Sequence, residues 1–327
     1  MKISKILKGV ISALLCTGIL LSLSACGGKE NNQDSGKLKI VTTVFPSYDF
    51  ARQIAGDKAE IKMLLPVGTE THHYDPTPSD MIAVKDCDVF IYIGGSNESW
   101  AEKLLSDTDR EKVKVVKLID SIDDLSPSIA NSGHNHEGDE HSEDKHSHNE
   151  NDYDQHIWTS PKNAKIMLDV ISDALCEADA ENSDSFKANK EKYEGEITSL
   201  QNDFKAASEI TGEKILVFAD KFPFTYLAKE FGFNCLAAFS SCSDESEPSA
   251  ATVAMIIDEI KAHKISTVFY LHFSSKKVAD NICNETGATA YPLHTCHNVS
   301  KEEFDNGESY VSLMRKNLEN IKKALQN

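Results

Sequence analysis

From residue 38 onward the chain alternates short β-rich runs with helical ones, and it does so twice. Runs at 38–44, 59–65, 88–93 and 113–119 read as strands, with helical segments at 48–55, 79–86 and 97–105 between them. Strands separated by helices do not close as hairpins. The crossover lays them parallel, with helices covering the sheet. A second set of strands is expected at 214–219, 234–239, 267–271 and 289–293, closed by a helix over about 308–325. Ser160-Pro161 reads as an N-cap followed by proline at the first helical position, opening a helix toward Glu177. Between the two sets, residues 184–211 carry the longest helical pattern. Phe186, Tyr193, Ile197, Leu200, Phe204 and Ala207 recur at three, four and seven residues and place one apolar stripe along it. Such a helix is roughly 40 Å long, enough to run the length of a two-lobed molecule, and Gly212 supplies its stop.

The first 26 residues read as an address label. Lys2, Lys5 and Lys8 precede a nearly unbroken apolar run of 14 residues from Val10 to Leu23. A bilayer span takes about 20 residues, so the run suits a signal-peptide core instead. Leu23-Ser24-Ala25-Cys26 closes it and resembles a bacterial lipoprotein box, in which the Cys26 thiol carries the lipid. Residues 27–36 are polar and glycine-bearing, with too little apolar surface to fold, and read as a tether.

Cutting before Cys26 removes three lysines and no acid, which takes the formal net charge from −18 to −21. A surface that acidic repels nucleic acid and anionic lipid and attracts cations. Six cysteines remain after Cys26 with no C-x-x-C pair among them, which argues against a cysteine-only zinc ribbon. Cys242 and Cys296 lie near the ends of neighbouring C-terminal segments and are expected to pair in an oxidising exterior. Cys87, Cys176, Cys235 and Cys283 have apolar neighbours and are expected to be free thiols.

Eleven of the 12 histidines fall into two unlike groups. His134, His136, His141, His146 and His148 lie among Asp, Glu, Ser, Asn and Gly, where nothing can build a core. That stretch reads as a loop able to collect cations weakly, because binding must order it. His136-Glu137 followed by His141 is not a metalloprotease motif, since that motif needs histidines four apart on a helix. The second group sits where strands end. His72 and His73 follow the second strand, His156 lies in Asp154-Gln155-His156-Ile157-Trp158, and His272 follows the strand at 267–271. His294 and His297 follow the last strand, and Asp220 closes the one at 214–219. In open α/β sheets the carboxyl ends of strands line the ligand crevice, so these residues can converge there.

Residues 68–78, Gly68-Thr69-Glu70-Thr71-His72-His73-Tyr74-Asp75-Pro76-Thr77-Pro78, and 154–161, Asp154-Gln155-His156-Ile157-Trp158-Thr159-Ser160-Pro161, carry a family resemblance. With them the chain resembles the zinc/manganese-type solute-binding lipoproteins of bacterial ABC importers, from about residue 38 to the C-terminus. The resemblance implies an α/β fold: two α/β lobes with mainly parallel sheets joined by a long rigid backbone helix, and metal held between the lobes. With the lipoprotein signal peptide (1–25) and tether (26–37) read above, the chain continues as an N-terminal lobe (38–183) with a histidine-rich loop at 126–154. A linking helix (184–211) and a C-terminal lobe (212–327) follow. The resemblance places the first metal ligand on His72 and the second on His156. The last ligand falls on His294. The family's third ligand has only Asp220 as a plausible donor in its stretch, and His272 stands where an acid is common. The expected metal set is therefore His72, His156, His294 and His272, with Asp220 and His297 open as the remaining donor.

An imidazole-rich set suits Zn²⁺, and a carboxylate-rich one suits Mn²⁺. The expected function is an extracytoplasmic receptor that captures Zn²⁺ and delivers it to an ABC permease backed by a cytoplasmic ATPase. It would be monomeric and held at the cell membrane by lipid on Cys26. A Mn²⁺ receptor of the same family and a surface adhesin or metal buffer are the alternatives. A secreted zinc hydrolase would need an open coordination position and a general base, and neither an H-E-x-x-H helix nor a G-x-S-x-G elbow is present.

Overall fold

A computed structural model describes residues 36–69, 74–106, 108–127, 153–210, 215–239 and 248–326. The leader and tether with Cys26, the pair His72-His73, the five clustered histidines, Gly212 and Cys242 lie outside the described residues. In chain order the first set comprises β1 (Leu38–Thr42), α1 (Phe45–Ala55), β2 (Ala59–Met63), α2 (Pro78–Lys85), β3 (Val89–Tyr92), α3 (Ser99–Leu105) and β4 (Lys114–Lys117). Two long helices follow, α4 (Pro161–Ala178) and α5 (Ser183–Ser208). The second set is β5 (Ile215–Phe218), α6 (Thr225–Phe231), β6 (Asn234–Ala237), α7 (Ala250–His263), β7 (Thr267–Leu271), α8 (Lys277–Thr286) and β8 (Thr289–Leu293). The chain closes with α9 (Lys301–Asp305) and α10 (Tyr310–Leu325).

Every strand pairing is parallel, and the two sheets have the same topology, β2-β1-β3-β4 and β6-β5-β7-β8. The central strands of each sheet are buried on both faces, as crossover helices require. The strands show it residue by residue. Val89 and Ile91 of β3 join the central core, while Phe90 and Tyr92 face an outer cluster with Trp100 and Leu104 of α3. In the second sheet Phe218 and Phe269 face the central core, and Val217 and Val268 face Ile256 and Ile282 of α7 and α8. The alternation is the period-2 geometry of a strand. The central core is continuous across both sets, so the inner sheet faces and the long helices share one apolar interior.

Helix α5 carries that continuity. Phe186, Tyr193, Ile197, Leu200, Phe204 and Ala207 are buried along one side, and the helix packs on α1 and α4 of the first half and on α10 of the second. Its 26 residues span about 39 Å. The fully buried Asp49 of α1 accepts from the Tyr193 hydroxyl at 2.6 Å and from the Tyr310 N–H at 2.8 Å, locking three helices at one point. Ser160 caps α4 by accepting the Asn163 N–H at 3.1 Å, with Pro161 inside the first turn.

Cys296 is a correction to the cysteine reading. It is a free thiol with no exposed surface, and burial pushes its pKa well up, so it is not half of a disulfide. Cys87, Cys176, Cys235 and Cys283 are free, as expected.

Candidate metal centre

The segment that carries His156 is fixed from both halves of the molecule. The Asp154 N–H donates to the Ser126 carbonyl at 2.9 Å, and the Tyr226 hydroxyl of α6 donates to the Asp154 carbonyl at 2.6 Å. Farther along, the Tyr310 hydroxyl donates to the Trp158 carbonyl at 2.8 Å, and the Trp158 indole N–H donates to the Thr295 carbonyl at 2.8 Å. Gln155 is gripped by the loop after β3: Asn97 N–H donates to its Oε1 at 2.8 Å, and its Nε2 donates to Ser96 at 2.7 Å. Gly95 makes this possible. A Cβ there would stand 2.6 Å from the Gln155 side chain, and its φ of 90° disfavours any other residue.

Within that frame His156 is 4% exposed, and its Nδ1 lies 2.7 Å from Asp154 Oδ1, which also accepts the His156 N–H at 3.0 Å. Burial is the largest influence and would raise the Asp154 pKa, but the His156 ring, the His156 N–H and the Thr225 hydroxyl together hold the carboxyl below its usual value. Nδ1 is the ring nitrogen committed to this carboxylate, and in a neutral imidazole that pairing puts the lone pair on Nε2. This carboxylate–imidazole pairing is how ligand histidines are oriented in metal sites.

The ring faces a water-sized cavity of about 10 Å³, also lined by His297, Trp158, Glu98, Gln155 and Asn97. The centroids of His156 and His297 are 5.8 Å apart, and Trp158 packs on His297 at 5.1 Å. Glu98 is 4% exposed. Its Oε2 accepts the N–H groups of Ile93 and Gly94 at 2.7 and 2.9 Å, while Oε1 has no partner. Burial outweighs those two donors and lifts its pKa to about 7. The loop beyond β8 also reaches the loop beyond β2. Asn298 Nδ2 donates to the carbonyls of Pro66 and Thr69, each at 2.8 Å, and the Gly68 N–H donates to the Val299 carbonyl at 2.8 Å. His72 follows Thr69 by three residues in the sequence.

The structure groups His272 and His294 elsewhere. They follow β7 and β8, and the His272 N–H donates to the Leu293 carbonyl at 2.9 Å, continuing the ladder by one step. Their ring centroids are 4.7 Å apart. Glu303 of α9 completes the group, with Oε1 3.4 Å from His272 Nε2 and Oε2 3.5 Å from His294 Nε2. Ligand atoms of these three residues all lie within 4.8 Å of one another, and no other such group of three occurs among the described residues. His156 is not a member. Burial would raise the Glu303 pKa, but His294, the Ser300 N–H and the Ser300 hydroxyl hold it far below the usual range. Burial, with the neighbouring His294, lowers the pKa of His272.

The expected set His72, His156, His294 and His272 is thus divided among the described residues: His156 stands with His297, and His272 stands with His294. Asp220 joins neither pair through a contact. Its carboxylate accepts the N–H of Leu271 at 3.1 Å and of Lys221 at 2.8 Å, which ties the end of β5 to β7. Two acids were not expected at either place. Glu303 is visible in the sequence only as the fourth residue of a Ser-x-x-Glu capping box, and the box is formed. Glu98 carries no sequence signal beyond being an acid before a helix.

The family model described as zinc-uptake complex component A, periplasmic, matches residues 40–324. The chain is 32% identical over 314 residues to the zinc-binding lipoprotein AdcA of Streptococcus pneumoniae R6, covering 96% of this chain and 60% of that protein. It therefore spans less than two thirds of that relative's length. It is 32% identical to the high-affinity zinc uptake system protein ZnuA of Bacillus subtilis, over 93% of this chain and 94% of that one. Among solved structures, the Zn(II)-bound ZnuA-like domain of Streptococcus pneumoniae AdcA superimposes with a TM-score of 0.72 at 29% identity, over 89% of this chain and all of that one. The two-lobed α/β architecture expected from the sequence is the fold these proteins share.

Proposed function

The chain belongs to the family of periplasmic zinc-uptake component A proteins, and from that premise we propose that it is an extracytoplasmic receptor that captures Zn²⁺ and hands it to an ABC importer. The observation that carries this reading is the state of His156. Its Nδ1 is committed to a buried carboxylate 2.7 Å away, which leaves Nε2 as the nitrogen available to ligate, and the ring lines the cavity that His297 shares. In the proposal the cargo takes His156 and His297 from opposite halves of the chain. His72, three residues beyond Thr69 in the sequence, is the third ligand of that set. A set built from imidazole favours Zn²⁺ over Mn²⁺.

The receptor binds its cargo without transforming it. Its partners are a permease and the ATPase behind it, and it works as a monomer tethered by lipid on Cys26. The test is chelator-competition calorimetry on the mature chain with Zn²⁺ and Mn²⁺. One sub-micromolar zinc site with weaker manganese binding is expected, whereas micromolar or weaker zinc binding, or a preference for manganese, overturns the proposal. Growth of a deletion strain under zinc chelation separates an importer's receptor from an adhesin or a buffer, because only the receptor is needed for uptake.

A further inference from the structure

Two histidines and an acid remain outside the cargo set. A tetrahedral ion with bonds of about 2.0–2.1 Å places its ligand atoms roughly 3.3–3.4 Å apart. The separations from Glu303 to His272 and His294 are 3.4 and 3.5 Å, close to two edges of that tetrahedron. His294 Nε2 is the independent pointer to a ligand. It is buried, and at 3.5 Å its approach to Glu303 is too long for a hydrogen bond, so it has no hydrogen-bond partner. The scaffold around the group is rigid. Asn317 of α10 clamps the His294 backbone, accepting its N–H and donating to its carbonyl, each at 2.7 Å. The Ser300 N–H and hydroxyl each donate to Glu303 Oε2 at 2.8 Å.

We propose that His272, His294 and Glu303 form a second site for a divalent, nitrogen-preferring cation of the Zn²⁺ class, separate from the cargo site at His156 and His297. Two imidazoles and a carboxylate leave a fourth position for water. The side chain of His272 is 36% exposed, so the ion reaches the site from solvent.

The site has a visible cost. The Cys296 N–H donates to His294 Nδ1 at 2.9 Å, which fixes the proton of the neutral ring on Nε2, the atom that must ligate. Occupancy therefore moves the ring proton to Nδ1 and turns the Cys296 N–H away. The Thr295 carbonyl lies in the same peptide plane and accepts the Trp158 indole N–H at 2.8 Å, so turning the Cys296 N–H away also disturbs that bond. This site is accordingly weaker than the cargo site, where no ring proton has to move.

The test follows modification of His272 by diethyl pyrocarbonate, read by mass spectrometry on the full mature chain during a zinc titration. Zinc should protect His272 at concentrations above those that fill the cargo site. The protection should survive His156→Ala, and Glu303→Gln should raise its midpoint roughly tenfold or more. Unchanged reactivity of His272 through the titration overturns the proposal. So does protection that disappears with His156→Ala, since that outcome makes the two groups one site. Should Glu303→Gln unseat α9, crystals of His156→Ala soaked in zinc and measured at the zinc edge decide the matter. An anomalous peak bonded to all three side chains supports the second site, and its absence overturns it.

Discussion

His156 and His294 are buried to the same degree, 4% and 5% exposed, and each has its Nδ1 in a hydrogen bond, yet the two bonds run in opposite directions. At His156 the ring donates to ionised Asp154. At His294 the ring accepts from a backbone N–H. The neutral rings are thus opposite tautomers, one with its lone pair on Nε2 and one with a proton on that atom. Proximity of imidazoles alone does not rank two metal sites. The group behind each ring decides whether its outward nitrogen is ready to ligate.

The most severe break in that comparison is His156→Ala, which removes a ligand outright. Zinc affinity of the cargo site should fall on the order of 100-fold or more, since even outer partners of metal ligands contribute about 10–100-fold. Competition with a chromophoric chelator measures it, and near-native affinity would remove His156 from the site. Asp154→Asn sharpens the comparison, because an amide can donate to Nδ1 and so permit the tautomer of His294. A loss of about 10–100-fold by the same measurement is expected, with the fold retained.

Glu98 tests the cavity through proton linkage. Its folded pKa of about 7 stands above an ordinary value of 4.5, so between those values the folded state holds the proton that the unfolded state releases. Stability is lost as pH rises through that window and is level above it. Glu98→Gln should therefore flatten the pH dependence between 4.5 and 7, by about 3 kcal/mol relative to the parent chain. Denaturant melts across that range check it, and parallel curves for the two proteins would contradict the buried neutral acid. The smallest effect is expected for Trp158→Phe, which leaves the Thr295 carbonyl without its donor. That should cost about 1 kcal/mol and lower the midpoint of thermal unfolding by a few degrees.

Much of the fold is legible because its causes are local. β7 and β8 begin and end where their β-rich runs do, and α4 starts at the Ser160-Pro161 signal. The stripe from Phe186 to Ala207 is buried as its spacing requires, although α5 ends at Ser208, before the expected stop. The helices α6 to α9 are not among the expected elements. They run to between 5 and 14 residues, so periodicity has little length in which to register. The candidate site is legible only in part. His156 stands out because it lies in the stretch from Asp154 to Pro161 that carries the family resemblance. Glu303 and Glu98 do not, since their roles depend on neighbours 9 and 58 residues away, His294 and His156 respectively.

By itself the sequence determined the two rounds of parallel α/β layering, the long helix that spans them, and the Ser160 cap that starts α4. Each of these follows from the chemistry of a few adjacent residues. Only the tertiary structure decided how the histidines divide, His297 going to His156 and His272 to His294. Membership depends on which carboxylate, amide or N–H reaches the far side of each ring, and Asp154, Cys296, Asn317 and Ser300 act there through directions in space that spacing along the chain does not encode.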